Sequence, residues 1–153
     1  MADPRRAVRR VDAPRPAALA ALAALAVVPW SVQFLGGAVG LRFAWGMVTL
    51  DPPSASLLTA YLGFARSWLV FAWALAATAS ALAVALALAP SLTRGRLPRD
   101  DRLVAGLLAL AGVANASVDW TFSMQPGRTA LPVGTVALWA LAWRWAHSSP
   151  DAP

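Results

Sequence analysis

The chain has 153 residues, of which 59% are hydrophobic and 13% charged, with a mean hydropathy of +0.58; an ordinary soluble domain is about half apolar and about a quarter charged. Cysteine is absent, which excludes a disulfide framework and a thiolate metal site. The formal net charge of +6 comes entirely from arginine, and its clustering beside apolar blocks points to membrane orientation and away from nucleic acid.

Residues 1–16 carry Arg5, Arg6, Arg9, Arg10 and Arg15 among Pro4, Pro14 and Pro16. They read as a disordered basic arm able to touch anionic lipid. The first apolar block, 17–35, approaches the roughly 20 residues that cross a bilayer, with Pro29 expected to kink it near its outer end. A cleaved twin-arginine leader is the alternative, disfavoured by Pro29 and Trp30 standing where small residues should mark cleavage. Next comes an outer segment, 36–67. Its first part is bounded by Gly36-Gly37 and Pro52-Pro53 and alternates weakly around Arg42 and Trp45, as a short hairpin or an interfacial loop would. In its second part Leu57, Tyr61 and Phe64 share one face of an interfacial helix.

Blocks 68–89, 103–122 and 131–146 complete four expected spans. Period-2 strand patterning of a membrane barrel is missing from them, so they are expected as helices. Arg144 can snorkel to lengthen the short fourth span. Ten arginines, in the arm, at Arg94, Arg96, Arg99 and Arg102 and at Arg144, lie on one side of this arrangement, against Arg42, Arg66 and Arg128 on the other. By the positive-inside rule both termini are cytoplasmic. The expected fold is therefore an all-α, four-helix transmembrane bundle, up and down, with spans at about 17–35, 68–89, 103–122 and 131–146 and a short tail at 148–153, in the cell membrane as a multi-pass protein. Small residues at four-residue spacing (Ala72, Ala76, Ser80; Ala105, Ala109; Gly112, Ala116) would let the helices approach. Trp45, Trp68, Trp120, Trp143 and Trp145, among eight tryptophans in all, read as interfacial anchors.

The polar run Gln125-Pro126-Gly127-Arg128 is a turn signal, with proline and glycine at its central positions, and Pro132 can open the helix after it. Pro29-Trp30-Ser31, Phe43-Ala44-Trp45-Gly46 with Pro52, Asp101-Arg102 before Gly106-Leu107-Leu108, and above all Gln125-Pro126-Gly127-Arg128 with Pro132-Val133-Gly134-Thr135 and Trp139 give a resemblance. The chain resembles an uncharacterised group of small haloarchaeal integral membrane proteins from its first span to Trp145. That resemblance implies a multi-pass membrane protein and carries no activity with it.

Few residues are candidates for chemistry. Asn115 and Asp119 stand four apart on one helix face with Gly112, and an intramembrane carboxylate is a functional candidate by default. The competing reading pairs Asp119 with Arg128, Arg42 or Arg66 at the interface. The nine-residue turn favours Arg128, with Gln125 and the loop around Arg42 and Trp45 capping the same outer mouth. His147 has no companion ligand, Ser123 has no histidine as base, and the sequon Asn115-Ala116-Ser117 falls at membrane depth. No catalytic, cofactor-binding or metal residue is expected. The function that needs none is a scaffold or accessory subunit, with the lipid bilayer and another membrane protein or a homo-oligomer as partners. An oligomeric transporter or channel using Asp119 and Asn115 is the alternative, and an intramembrane enzyme would need a second catalytic group that the sequence does not offer.

Overall fold

Pro29 removes a backbone donor and disfavours helix in the residue before it, and the first helix of the computed structural model accordingly stops at Val27. The structure describes residues 16–65, 67–93 and 100–147. The basic arm, Arg66, the connection holding Arg94, Arg96 and Arg99, and the tail lie outside the described residues, as do the expectations placed on them. In chain order the elements are α1 (Pro16–Val27), β1 (Ser31–Leu35), β2 (Ala38–Arg42), β3 (Gly46–Leu50), β4 (Pro53–Leu57), α2 (Leu58–Phe64), α3 (Trp68–Leu92), α4 (Asp101–Ser123), β5 (Arg128–Leu131) and α5 (Val133–Ala146).

These elements overturn the all-α four-span bundle. The fold is α+β, with one antiparallel five-stranded sheet in the order β4-β3-β2-β1-β5, and among the described residues only α3 and α4, of 25 and 23 residues, are long and apolar enough to cross a membrane. The block 17–35 splits into a 12-residue helix and a strand, and the block 131–146 begins in β5 and leaves a 14-residue α5. The physical reason is that an apolar run has no intrinsic period. Ser31-Val32-Gln33-Phe34-Leu35 is as good a strand as a helix end, and the partner strands decide it. The segment 36–56, expected as a short hairpin or an interfacial loop, holds three antiparallel strands, β2, β3 and most of β4. Gly36 and Gly37 have φ of 55° and 98°, the pair of positive values that a two-residue type I′ hairpin demands, and β1 pairs with β2 from Ser31↔Arg42 to Leu35↔Ala38. A helix forms after it, α2, but it begins at Leu58, and Leu57, expected on its face, ends β4 instead. The turn at Gln125 to Gly127 forms as expected, with Gly127 at φ 70°, and returns the chain to place β5 beside β1.

The core is the seam of α3 against α4, with α5 packed on the far side of α4. Ala72, Ala76, Ala79, Ala83 and Ala87 are buried along one stripe of α3, and Ser80 beside them. On α4 they meet Val104, Ala105, Leu108 and Ala111. Small side chains on both sides let the two backbones close up. At Gly112 the approach is limiting, because a Cβ there would overlap the Trp139 indole of α5. α4 begins with Asp100, whose carboxylate accepts from the Leu103 amide at 3.0 Å, an N-cap on an otherwise open helix end. Asp100→Ala is expected to lower stability by about 1 kcal/mol, read as a shift in the thermal midpoint in detergent.

Candidate functional site

Four elements converge where the sheet meets the helices. Strand alternation sends Ser31 and Gln33 of β1 and Arg42 of β2 to the helix side, and all three are buried. The i, i+4 spacing on α4 brings Asn115 and Asp119 to the same place, and Thr135 reaches it from the first turn of α5.

The centre is an ion pair. Arg42 Nη2 donates to Asp119 Oδ1 at 2.6 Å, with both side chains almost fully enclosed. The guanidinium also lies over the Trp73 ring, 5.7 Å from its centroid, so one planar cation meets a carboxylate at its edge and a π-face above. Asn115 Nδ2 donates to Thr135 Oγ1 at 2.9 Å and to Asp119 Oδ2 at 3.3 Å, tying the carboxylate to α5. Ser31 Oγ is buried with no hydrogen-bond partner among the described residues. Burial draws the pKa of Arg42 down from its ordinary value and Asp119 opposes this, and a guanidinium stays charged at any working pH.

Trp30 locks the backbone around this pair. Its amide donates to Arg42 O at 2.6 Å and its carbonyl accepts from Gly134 N at 2.7 Å, while its indole donates back to Leu25 O at 2.8 Å. One buried residue thereby joins α1, β2 and α5. Trp45 and Trp73 act similarly, donating to Ala26 O and Phe43 O, both at 2.9 Å.

Of the residues singled out from sequence, Asn115, Asp119 and Arg42 come together, and Gln125 and Arg128 do not join them. The expected pairing of Asp119 with Arg128 gives way to Arg42. Arg128 stacks instead over the Phe122 ring at 5.4 Å, and its amide closes the turn onto Gln125 O at 3.2 Å. Proximity in sequence misleads here because β5 leads Arg128 away along the sheet, whereas β2, 77 residues upstream of Asp119, faces it directly. Sequence reasoning missed Ser31, Thr135, Trp30 and Trp73 as neighbours of the pair. The signal available for Ser31 was its two-residue spacing from Gln33, both on the polar phase of a strand. Of the expected anchors, Trp45, Trp68, Trp120 and Trp143 are exposed, whereas Trp145 is buried in the core. Asn115 of the sequon is fully buried. His147, at the end of α5, has Nδ1 2.9 Å from Trp143 O.

The arrangement holds an arginine and an aspartate in a closed, buried pair. Among the described residues no group of three His, Cys, Asp or Glu side chains comes together. The chain belongs to the DUF8050 family, a domain of unknown function whose profile matches residues 2–150. Neither the curated proteins nor the solved structures contain a match to it.

Proposed function

We propose that this chain is a small membrane protein, held in the bilayer by the α3–α4 hairpin, that acts as a scaffold or accessory subunit for other membrane proteins. The observation that carries this reading is the direction of the apolar side chains on the hairpin. Trp68, Phe71, Leu75 and Leu82 of α3 and Leu103, Leu110, Val113 and Trp120 of α4 all stand at the surface, a pattern that water penalises and lipid accepts. The four arginines at the α3–α4 connection, Arg94, Arg96, Arg99 and Arg102, favour the cytoplasm for that end of the hairpin and the outside for the sheet. Two spans leave the segments before α3 and after α4 together on the sheet side, so the expectation of two cytoplasmic termini falls with the four-span bundle.

The transport alternative needs Asp119 free to bind or release an ion. Its closed pair with Arg42 at 2.6 Å speaks for a fixed structural charge, and so for the accessory role. The test is fractionation and cross-linking of the full-length chain in its native membranes. The expected result is retention in the membrane pellet through an alkaline carbonate wash, release by detergent, and a discrete cross-linked adduct of higher mass. Release by carbonate would defeat the membrane reading. Ion flux in proteoliposomes that disappears in Asp119→Asn would favour the transport reading.

A further inference from the structure

The sheet is apolar on the wrong side for a water-facing layer. Residues opposite one another in register share a face, so the buried Ser31, Gln33 and Arg42 define the side toward the helices. The register extends that side through Met47 and Thr49 to Ser56 and Ser54. The opposite face then follows strand by strand: Val32 across from Leu41 and Leu131, Phe34 across from Val39, and Leu41 across from Val48. Apart from Thr129, which stands across from Phe34 on β5, every one of these outward side chains is aliphatic or aromatic, and all are half-buried or exposed. An antiparallel sheet with one solvated face shows the reverse pattern, apolar in and polar out.

We propose that this outward face, formed by Val32, Phe34, Val39, Leu41, Val48 and Leu131, lies against lipid at the headgroup and acyl-chain boundary of the outer leaflet. The inference rests on the membrane reading of the α3–α4 hairpin and adds to it a second contact surface, made of strands.

Depth is the first argument. α3 and α4 are about 37 and 34 Å long, against a hydrocarbon thickness of about 30 Å. The sheet packs beside Asn115, eight residues before the end of α4 at Ser123, which is about 12 Å down the helix. It therefore stands alongside the outer end of the hairpin and not wholly above it. The second argument is continuity. Trp45, Phe64, Trp68 and Trp120 are exposed at the same end of the molecule, forming the aromatic rim that membrane interfaces select. The third is size. Five short strands present roughly 400 Å² of face, about half of what each partner of a stable dimer contributes, so a second copy is the weaker occupant. An upper bound on depth comes from β4, an outer strand of the sheet. Backbone groups on an open edge cannot enter hydrocarbon, so that edge, with Ser54 and Ser56, stays among headgroups and water.

The absence of native cysteine makes the test clean. Single variants of the full-length chain, Val39→Cys and Leu41→Cys on the outward face, Ser54→Cys at the edge, and Leu75→Cys and Val113→Cys on the hairpin, carry a nitroxide label in vesicles of phosphatidylcholine and phosphatidylglycerol. Collision with molecular oxygen, which concentrates in lipid, is compared with collision with a water-soluble nickel chelate. The expected result is oxygen exceeding nickel several-fold at 39 and 41, less than at 75 and 113, with the ratio reversed at 54. If 75 and 113 report lipid while 39 and 41 report water, the sheet inference fails and the membrane reading stands. If all five report water, both fail. Labels at 39 and 41 that meet neither reagent would mean that protein covers the face, a second copy or a partner, and would overturn the lipid assignment.

Discussion

Replacing Asp119 by leucine is expected to destabilise the protein by about 3–5 kcal/mol, because the Arg42 guanidinium would remain enclosed without its counter-charge. Arg42→Met should cost a similar amount by stranding the carboxylate. The double variant, Arg42→Met with Asp119→Leu, should cost less than either single change, since no buried charge is left to solvate and the chosen side chains roughly keep volume. Reversible unfolding in mixed detergent micelles measures all three, and the interaction energy from the cycle should be well above 1 kcal/mol. Two atoms already show how tightly the site is drawn: Arg42 Nε and Nη1 are buried without a hydrogen-bond partner among the described residues, so the single bond to Asp119 compensates an unusually large share of the cation's desolvation. Arg128→Ala is the contrasting control. Its stacking on Phe122 lies at the surface turn, where such a contact is worth about 0.5–1 kcal/mol. Equal losses for Arg128 and Arg42 variants, or additive behaviour in the cycle, would refute the assignment of Arg42 as the partner.

Gly134→Ala is expected to be the most damaging single-methyl change. A Cβ at this position would stand 2.5 Å from Trp30 Cα and 2.7 Å from Trp30 Cβ. Neither atom can yield, since Trp30 is fixed by its hydrogen bonds to Arg42 and to Gly134 itself. Alanine would gain about 1 kcal/mol of helix propensity. Overpacking costs about 1–3 kcal/mol, and losing the Gly134–Trp30 hydrogen bond adds to that, so destabilisation wins. Because the displaced residue also carries the backbone contact to β2, the damage should spread to the Arg42–Asp119 pair. Gly106→Ala tests the reasoning from the other side: nothing lies within 4 Å of its added Cβ, so the propensity gain stands alone and stability should rise slightly. Thermal denaturation of both variants in one detergent decides the point, and a Gly134→Ala protein as stable as the parent would show that the α5–Trp30 contact is looser than described.

Much of this molecule could be read from its residues, and the readings that failed share one cause. α3 and α4 were legible because each combines length with unbroken apolar composition and sits between clear stops, Ser67 before Trp68 and Asp100 before Asp101. The Gln125 to Gly127 turn was legible because proline and glycine restrict φ locally. The two shorter apolar blocks failed because Val32, Phe34 and Leu131 suit strand and helix alike, and the choice depended on partners far along the chain. Alternation in Ser31-Val32-Gln33 and in Gly40-Leu41-Arg42 was present in the sequence, but alternation gives two phases without saying which one is inside. The ordinary expectation, apolar phase inward, is reversed here.

Composition and the local punctuation of proline and glycine by themselves determined an apolar chain with long helices over 68–89 and 103–122 and a tight turn after the second, while two of the four spans read from the same composition did not form. Those features depend on each residue's own solvation and backbone freedom, which travel with the sequence. Only the tertiary structure decided that β1 joins β2 and β5, that Arg42 and not the nearer Arg128 neutralises Asp119, and that Trp30 ties three elements together. Each of these is a contact between groups distant along the chain, and its energy exists only once burial has removed water from both sides.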